Sequence, residues 1–206
     1  MNVTKERTAA NRAALVREAG RLLRERGMDG VGVAEICQAA GLTHGALYAQ
    51  FPSKEALAAE ALAYGLDRSF ISMTASKDDR RPTLTDYLDR YLSRRHRENL
   101  AGGCPMAASA SEIARQDEAV SLRFSEGFER TVEAVQAALG PTRSMATPRQ
   151  TALATVAAMI GGVAVSRAVA KAHPRLADEI LSAVRQVVGE VSGEQATRKA
   201  KARARR

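Results

Sequence analysis

Apolar residues recur along most of the chain at the three- and four-residue spacing of helices, and no alternating run predicts a strand. In residues 5–26, Leu15, Ala19 and Leu22 share one stripe, and Gly27 follows where a C-terminal cap belongs. Further helices are indicated over residues 33–40, 43–51, 54–74, 83–97, 105–115, 118–139, 149–172 and 174–192. The pattern therefore predicts an all-α protein of about nine helices.

Polar loops divide the predicted helices into groups. The helical pattern is interrupted by charged, glycine and proline residues at 75–82 (ASKDDRRP) and at 140–148 (GPTRSMATP). We expect an N-terminal domain over residues 5–52, a connecting helix over 53–74 and a C-terminal helical domain over 75–192. The polar and basic composition of residues 193–206 predicts a disordered tail.

The most informative segment is residues 33–51, VAEICQAAGLTHGALYAQF. Two short helices that cross steeply need a small residue at their contact, a turn residue that tolerates positive φ, and inward apolar side chains. Cys37 supplies the small residue and Gly41 the turn. The inward positions are Ile36, Ala40, Leu42 and Leu47. This spacing predicts a helix-turn-helix, with Thr43 as N-cap of its second helix.

The run GLTHGALYAQFPSKEALAAEAL resembles the tetracycline-repressor (TetR) family of transcriptional regulators, in which a turn glycine precedes a short recognition helix. The motif residues that match in order and spacing are Leu47, Tyr48, Phe51, Ser53, Lys54 and Glu55. The resemblance covers about residues 8–62 and implies a three-helix helix-turn-helix domain, followed by a ligand-binding and dimerisation domain. This chain departs from the family at three positions, with Gly32 in place of Thr or Ser, Cys37 in place of Ala, and His44 in place of Lys or Arg.

A recognition helix enters the major groove with its N-terminus first, so its first exposed residues are the candidates for base contacts. His44 can donate to a purine N7 or a phosphate, and the methyl of Ala46 suits a thymine methyl. Gly45 has no side chain, which lets the backbone approach the groove floor. Gln50 suits an adenine edge or a phosphate.

Phosphate contacts are expected from residues around the same helix. Thr43 and the Tyr48 hydroxyl suit phosphate oxygens, and Lys54 adds charge at the start of a helix. Gly32 offers only its backbone N–H where the family often has a hydroxyl. An N-terminal arm is expected to add contacts from Lys5, Arg7 and Arg12.

The net charge of +8 is concentrated in the tail, where residues 198–206 hold six positive charges and no negative one. Only +2 remains for the rest, and residues 1–60 hold eight basic against seven acidic side chains. Charge alone therefore does not locate a DNA-binding surface. A protein that binds nucleic acid non-specifically through its basic tail remains an alternative.

The last two helices are predicted to form a homodimer interface, because small residues on one permit close approach to apolar residues on the other. The expected interface residues are Ala157, Gly161, Val165, Ile180, Val184 and Val188. Packing of both helices only within their own subunit is the alternative. A dimer would present two recognition helices about one DNA turn apart, which suits a near-palindromic operator.

A small-molecule effector is expected among the helices of residues 54–139, by resemblance to the family. The expected lining is Met73, Tyr87, Tyr91, Cys104, Met106, Phe124 and Phe128, each of which is also an ordinary core residue. Cys104 precedes a helix start, where the dipole lowers the pKa of a thiol. A redox- or electrophile-sensing regulator that uses Cys104 is therefore an alternative to one released by a small molecule.

Other classes of protein find little support in the sequence. It has no glycine-rich phosphate loop, no Gly-x-Ser-x-Gly and no cluster of histidines with carboxylates, so we expect no enzyme, no catalytic residue, no metal and no cofactor. The longest apolar stretch, residues 153–165, is too short for a membrane span, and no apolar signal core follows the N-terminal charges. We therefore expect a cytoplasmic DNA-binding regulator that is a repressor released by a ligand, with an activator as the alternative.

Overall fold

The computed structural model describes residues 2–75, 82–139 and 146–191, and their secondary structure is all helical, as predicted. The ten helices are α1 (Asn2–Arg26), α2 (Val33–Ala40), α3 (His44–Tyr48), α4 (Lys54–Thr74), α5 (Leu84–Tyr91), α6 (Arg94–Glu98), α7 (Pro105–Ile113), α8 (Glu118–Ala138), α9 (Pro148–Val169) and α10 (Pro174–Val191). The predicted tail at residues 193–206 lies outside the described residues.

The helix predicted over residues 83–97 is divided in two, which accounts for the tenth helix. α5 ends at Tyr91, and Ser93 starts α6 because its hydroxyl accepts the backbone N–H of His96 at 3.1 Å. The start of α5 has a capping box, in which Thr83 and Asp86 each accept the other's backbone N–H. The interruption thus follows from an N-cap residue inside an otherwise helical pattern.

The described residues form two compact units. The first comprises the chain up to Ser69 together with Leu100–Gly127, and the second comprises Phe70–Asn99 and the chain from Phe128 onward. The first unit therefore contains α1–α3 and α7, and the second contains α5, α6, α9 and α10. α4 and α8 each continue from one unit into the other.

In the first unit, α1 packs its predicted apolar stripe against α2, α3 and α7. It ends at Arg26, and Gly27 follows with a φ of 83°, the left-handed conformation typical of a helix C-terminus. The Met28 N–H donates to the Glu112 carboxylate of α7 at 2.8 Å. Arg24 donates to the Ala101 carbonyl at 2.7 Å, so the loop before α7 is also attached to α1.

In the second unit, α9 and α10 pack closely against each other. The Ser166 hydroxyl of α9 donates to the Ala177 carbonyl of α10 at 2.7 Å, and both residues are buried. Gly162 allows this approach, because a Cβ there would lie 3.1 Å from Val184. The pair is further held to α6, where Arg167 donates to the carbonyl of Arg97 at 2.9 Å.

By length and composition alone, α9 is apolar enough to cross a membrane. The core helix of a water-soluble protein has the same properties, and α9 buries nine of its residues, including Val156, Met159 and Val163. In the described part of the chain, α9 packs against α10 as a core helix of the second unit.

Candidate functional site

The two helices of the predicted helix-turn-helix form through local chemistry. α2 ends at Ala40 because Gly41 takes a φ of 67° and donates its N–H back to the helix. Thr43 then caps α3, since its hydroxyl accepts the Ala46 N–H at 3.2 Å. Cys37 is buried, and burial raises the pKa of its thiol, which keeps it protonated and suited to packing.

The predicted recognition helix, α3, has one face inside the unit and the other in solvent. Leu47 is fully buried, whereas Thr43, His44 and Gly45 are exposed. Tyr48 is 55 % exposed, so its ring and hydroxyl lie at the surface beside these residues. α3 is shorter than the predicted 43–51, because the chain leaves the helix at Ala49 before Phe51 turns into the core.

Two glycines predicted to contact DNA through their backbone have open space where a side chain would be. At Gly32, the N-cap of α2, an added Cβ would meet nothing within 4 Å. At Gly45, it would meet only the Thr43 hydroxyl at 3.9 Å. Neither has a positive φ. The folded unit therefore does not itself require glycine at either position.

Two cations that were predicted to contact phosphate are bound within the unit. The Lys54 ammonium donates to the Met28 carbonyl at 3.1 Å. The Arg12 guanidinium donates to the Gln50 carbonyl at 2.6 Å and forms an ion pair with Glu60 on α4. It also lies 4.1 Å from the centre of the Phe51 ring. The sequence did not indicate these partners, because they lie far from the two cations along the chain.

The N-terminal part of α1 contributes exposed positive charge beside the recognition helix. Lys5 and Arg7 are exposed. A shallow cleft of about 270 Å³ between α1 and the end of α3 is lined by Lys5, Thr8, Ala9, Arg12 and Gln50. The predicted arm and the predicted Gln50 contact therefore lie on one side of the recognition helix.

A cavity of about 490 Å³ lies inside the second unit, within the size range of small-molecule sites. Its described lining is Met73, Thr74, Pro82, Thr83, Leu84, Tyr87, Ala134, Val135, Ala137 and Ala138. Met73 and Tyr87 were predicted from the sequence. The alanines of α8 were not predicted as lining residues. In the sequence, an alanine that borders a cavity cannot be distinguished from an alanine that packs tightly against a neighbouring helix.

The other residues predicted to line a pocket lie elsewhere. Tyr91 is buried in the second unit, where its ring centre lies 4.6 Å from that of His96, and Phe128 is half-buried there. Cys104, Met106 and Phe124 belong to the first unit. Cys104 is the N-cap of α7, which agrees with its predicted position just before a helix. Its side chain is 1 % exposed.

The predicted dimer residues divide between the surface and the interior of the protomer. Ala157 and Val165 are exposed on α9, and Gly161 and Ile180 are half-buried. Val188 is buried, and the side chain of Val184 contacts Gly162 in the same chain. Three more apolar side chains of α10 are exposed, at Leu176, Val187 and Val191.

The comparison of sequences identifies the N-terminal segment. The family model described as "Bacterial regulatory proteins, tetR family" matches residues 15–61, which extend from α1 through α2 and α3 into α4. No curated protein matches the chain significantly.

Solved structures with the same fold cover nearly the whole chain. A TetR transcriptional regulator from Chloroflexus aurantiacus J-10-FL has a TM-score of 0.71 at 23 % identity, covering 90 % of this chain and 97 % of its own. A TetR-family regulator from Cytophaga hutchinsonii has a TM-score of 0.71 at 19 % identity, covering 90 % and 96 %. The reduced form of NemR from E. coli has a TM-score of 0.69 at 19 % identity, covering 88 % and 96 %. Residues 15–61 thus match the tetR family of bacterial regulatory proteins, and the chain as a whole shares the fold of these solved regulators.

Proposed function

We propose that this chain is a cytoplasmic repressor that binds a near-palindromic operator as a homodimer and is released by a small molecule. The observation that carries the DNA-binding part is the surface of α3. Its polar and small residues Thr43, His44 and Gly45 and the Tyr48 ring face solvent, while buried Leu47 holds the helix from beneath. A capped helix with its N-terminus free fits a major groove.

The exposed apolar residues of α9 and α10 support the homodimer. Val165 and Val187 are more than half exposed, and Leu176 and Val191 add to the apolar surface of the same helix pair. A second copy that covers these residues would remove them from water. The resulting pairing of α9 and α10 across a two-fold axis would form a four-helix bundle.

The cavity in the second unit supports release by a small molecule of low polarity. Its described lining carries no charged side chain. Two of its hydroxyls already have partners, since Thr74 donates to the Phe70 carbonyl at 3.0 Å and Thr83 to the Asp86 carboxylate at 2.7 Å. An uncharged, mainly apolar effector would therefore lose the least hydration on entering.

Release can be tested with a variant that fills the cavity. Ala134→Phe is expected to keep operator binding and to abolish the response to any uncharged compound that releases the wild type. Ala134→Ser, which leaves the space open, is the matched control and should retain the response. Equal responses of all three proteins would contradict the assignment of this cavity.

The two alternatives make different demands on the structure. A sensor based on Cys104 needs a thiol that a reagent can reach, and the burial of Cys104 disfavours it. A protein that binds nucleic acid through its tail would not depend on α3.

A truncation separates the tail-based alternative from the repressor. Removal of residues 197–206 should lower affinity for all DNA and reduce its salt dependence, while operator preference persists. Tyr48→Ala should abolish that preference in the full-length chain. The opposite pattern would support the tail.

A further inference from the structure

We infer that Arg12 is a positioning residue for operator recognition, which holds the end of the recognition helix at a fixed angle without itself contacting DNA. This inference rests on DNA binding by α3. Arg12 lies on α1, and its guanidinium joins three separate parts of the first unit. We call Arg12, Gln50, Phe51 and Glu60 the Arg12 clamp.

The clamp acts where the recognition helix is weakest. α3 has only five residues, too few for a helix to be stable by itself. Its N-terminus is fixed by the Thr43 cap and its middle by buried Leu47. The backbone after its last turn needs a separate attachment, because the final carbonyls of a helix have no partner inside it.

Arg12 provides that attachment through one donor. Its Nη1 donates to the Gln50 carbonyl at 2.6 Å, two residues after α3 ends at Tyr48. A cation at this end of a helix is also favoured by the helix dipole. The guanidinium face lies 4.1 Å from the centre of the buried Phe51 ring, which fixes the next residue as well.

Glu60 on α4 orients the guanidinium. Its carboxylate accepts from Arg12 Nε at 3.1 Å and from Nη2, so the two groups meet through two parallel bonds. Such a fork restricts the plane of the guanidinium, which a lysine ammonium would not do. With Glu60 on one edge and Gln50 on another, Arg12 couples the recognition helix to both α1 and α4.

The ion pair also weakens the case for Arg12 as a direct phosphate contact. Its charge is balanced by Glu60. Two cations line the neighbouring cleft, Lys5 and Arg12, and among the described contacts only Arg12 is paired with a carboxylate. A phosphate in this cleft would therefore bind to Lys5. A positioning role and a phosphate role predict opposite effects for Glu60, and this difference makes the inference testable.

The test is a double-mutant cycle of Arg12 and Glu60. For each variant, the dissociation constants for the operator and for random DNA are measured at several salt concentrations. Arg12→Gln removes a positive charge and Glu60→Gln removes a negative one. If the clamp positions α3, both variants should weaken operator binding about tenfold and bring it closer to random-DNA binding. The double variant should then be scarcely weaker than either single one, because both remove the same interaction.

A pair of similar exposure on α1 serves as the matched control. Arg21 pairs with Glu25, and the Arg21 side chain is 39 % exposed, equal to that of Arg12. Arg21→Gln and Glu25→Gln repeat the two charge changes and should leave operator preference unchanged. Circular dichroism at the assay temperature verifies that each variant is folded. Arg12→Lys is a milder change that keeps the positive charge but loses the fork of the guanidinium, so it should lose part of the operator preference.

Two results would overturn the inference. If Arg12→Gln weakened operator and random DNA equally and lowered the salt slope by about one, while Glu60→Gln strengthened both, Arg12 would be a phosphate contact. If both variants behaved as the Arg21 and Glu25 controls do, the clamp would have no part in recognition.

Discussion

The replacement Gly45→Ala separates the stability of the recognition helix from its fit to DNA. Gly45 lies in α3 with helical geometry, and an added Cβ would meet only the Thr43 hydroxyl at 3.9 Å, an ordinary contact distance. Alanine is more favourable than glycine in a helix by up to about 1 kcal/mol. The variant should therefore be as stable as the wild type, or more stable by up to about 1 kcal/mol.

The same methyl group should impair operator binding. If the backbone at Gly45 approaches the groove floor, the methyl occupies space that a base edge needs, and overpacking of this kind costs about 1–3 kcal/mol. The dissociation constant should then rise about 5- to 150-fold, since every 1.4 kcal/mol is a factor of ten. Increased stability together with decreased affinity cannot arise from partial unfolding.

The assay combines urea unfolding with fluorescence anisotropy on the operator and on random DNA. Gly32→Ala is the matched control, because its Cβ also enters open space and its expected phosphate contact uses the backbone N–H. Alanine is a poorer N-cap than glycine, so this control should lose stability while it keeps operator affinity within about twofold. Unchanged operator affinity of Gly45→Ala would refute the proposed approach of α3 to the bases.

Three further predictions concern the turn, pH and assembly. Gly41→Ala should destabilise the first unit by about 1–2 kcal/mol in urea unfolding, because the φ of 67° is unfavourable for a side chain; no loss would contradict the turn geometry. Burial lowers the pKa of His96 from 6.5 to about 4, so between these pH values the unfolded chain binds a proton that the folded chain does not. The free energy of unfolding should therefore decrease by about 1–3 kcal/mol as the pH is lowered from 6.5 to 4. Urea unfolding of His96→Gln should show a smaller fall over that range, and an identical fall would exclude His96 as its cause. Val187→Asp places a charge on the exposed face of α10 and should give monomers in analytical ultracentrifugation. Glu190→Gln, at another exposed position of α10, is the control and should remain dimeric. A dimeric Val187→Asp protein would show that the interface does not include this face of α10.

The sequence predicted best what local chemistry decides. The end of α2 and the start of α4 agree with the structure because Gly41 and Ser53 determine them through contacts a few residues away along the chain. The exposed face of α3 followed from the same local pattern, since Leu47 had to be its inward residue.

What the sequence did not indicate depends on residues distant along the chain. The clamp joins Arg12 to a carboxylate 48 positions away, and nothing in either segment marks its partner. Lys54 likewise has the charge and position of a phosphate ligand but donates to the Met28 carbonyl. The cavity depends on where Ala134 and its neighbours leave space, which periodicity does not encode.

Footprinting of the purified protein on DNA that flanks its own gene tests the central claim most directly. A symmetric pair of α3 helices should protect two half-sites about one helical turn apart, related by a near-palindrome. Tyr48→Ala should lose this pattern without loss of folding or assembly. Uniform protection with no sequence preference, or the same half-sites protected by Tyr48→Ala, would contradict recognition through this helix.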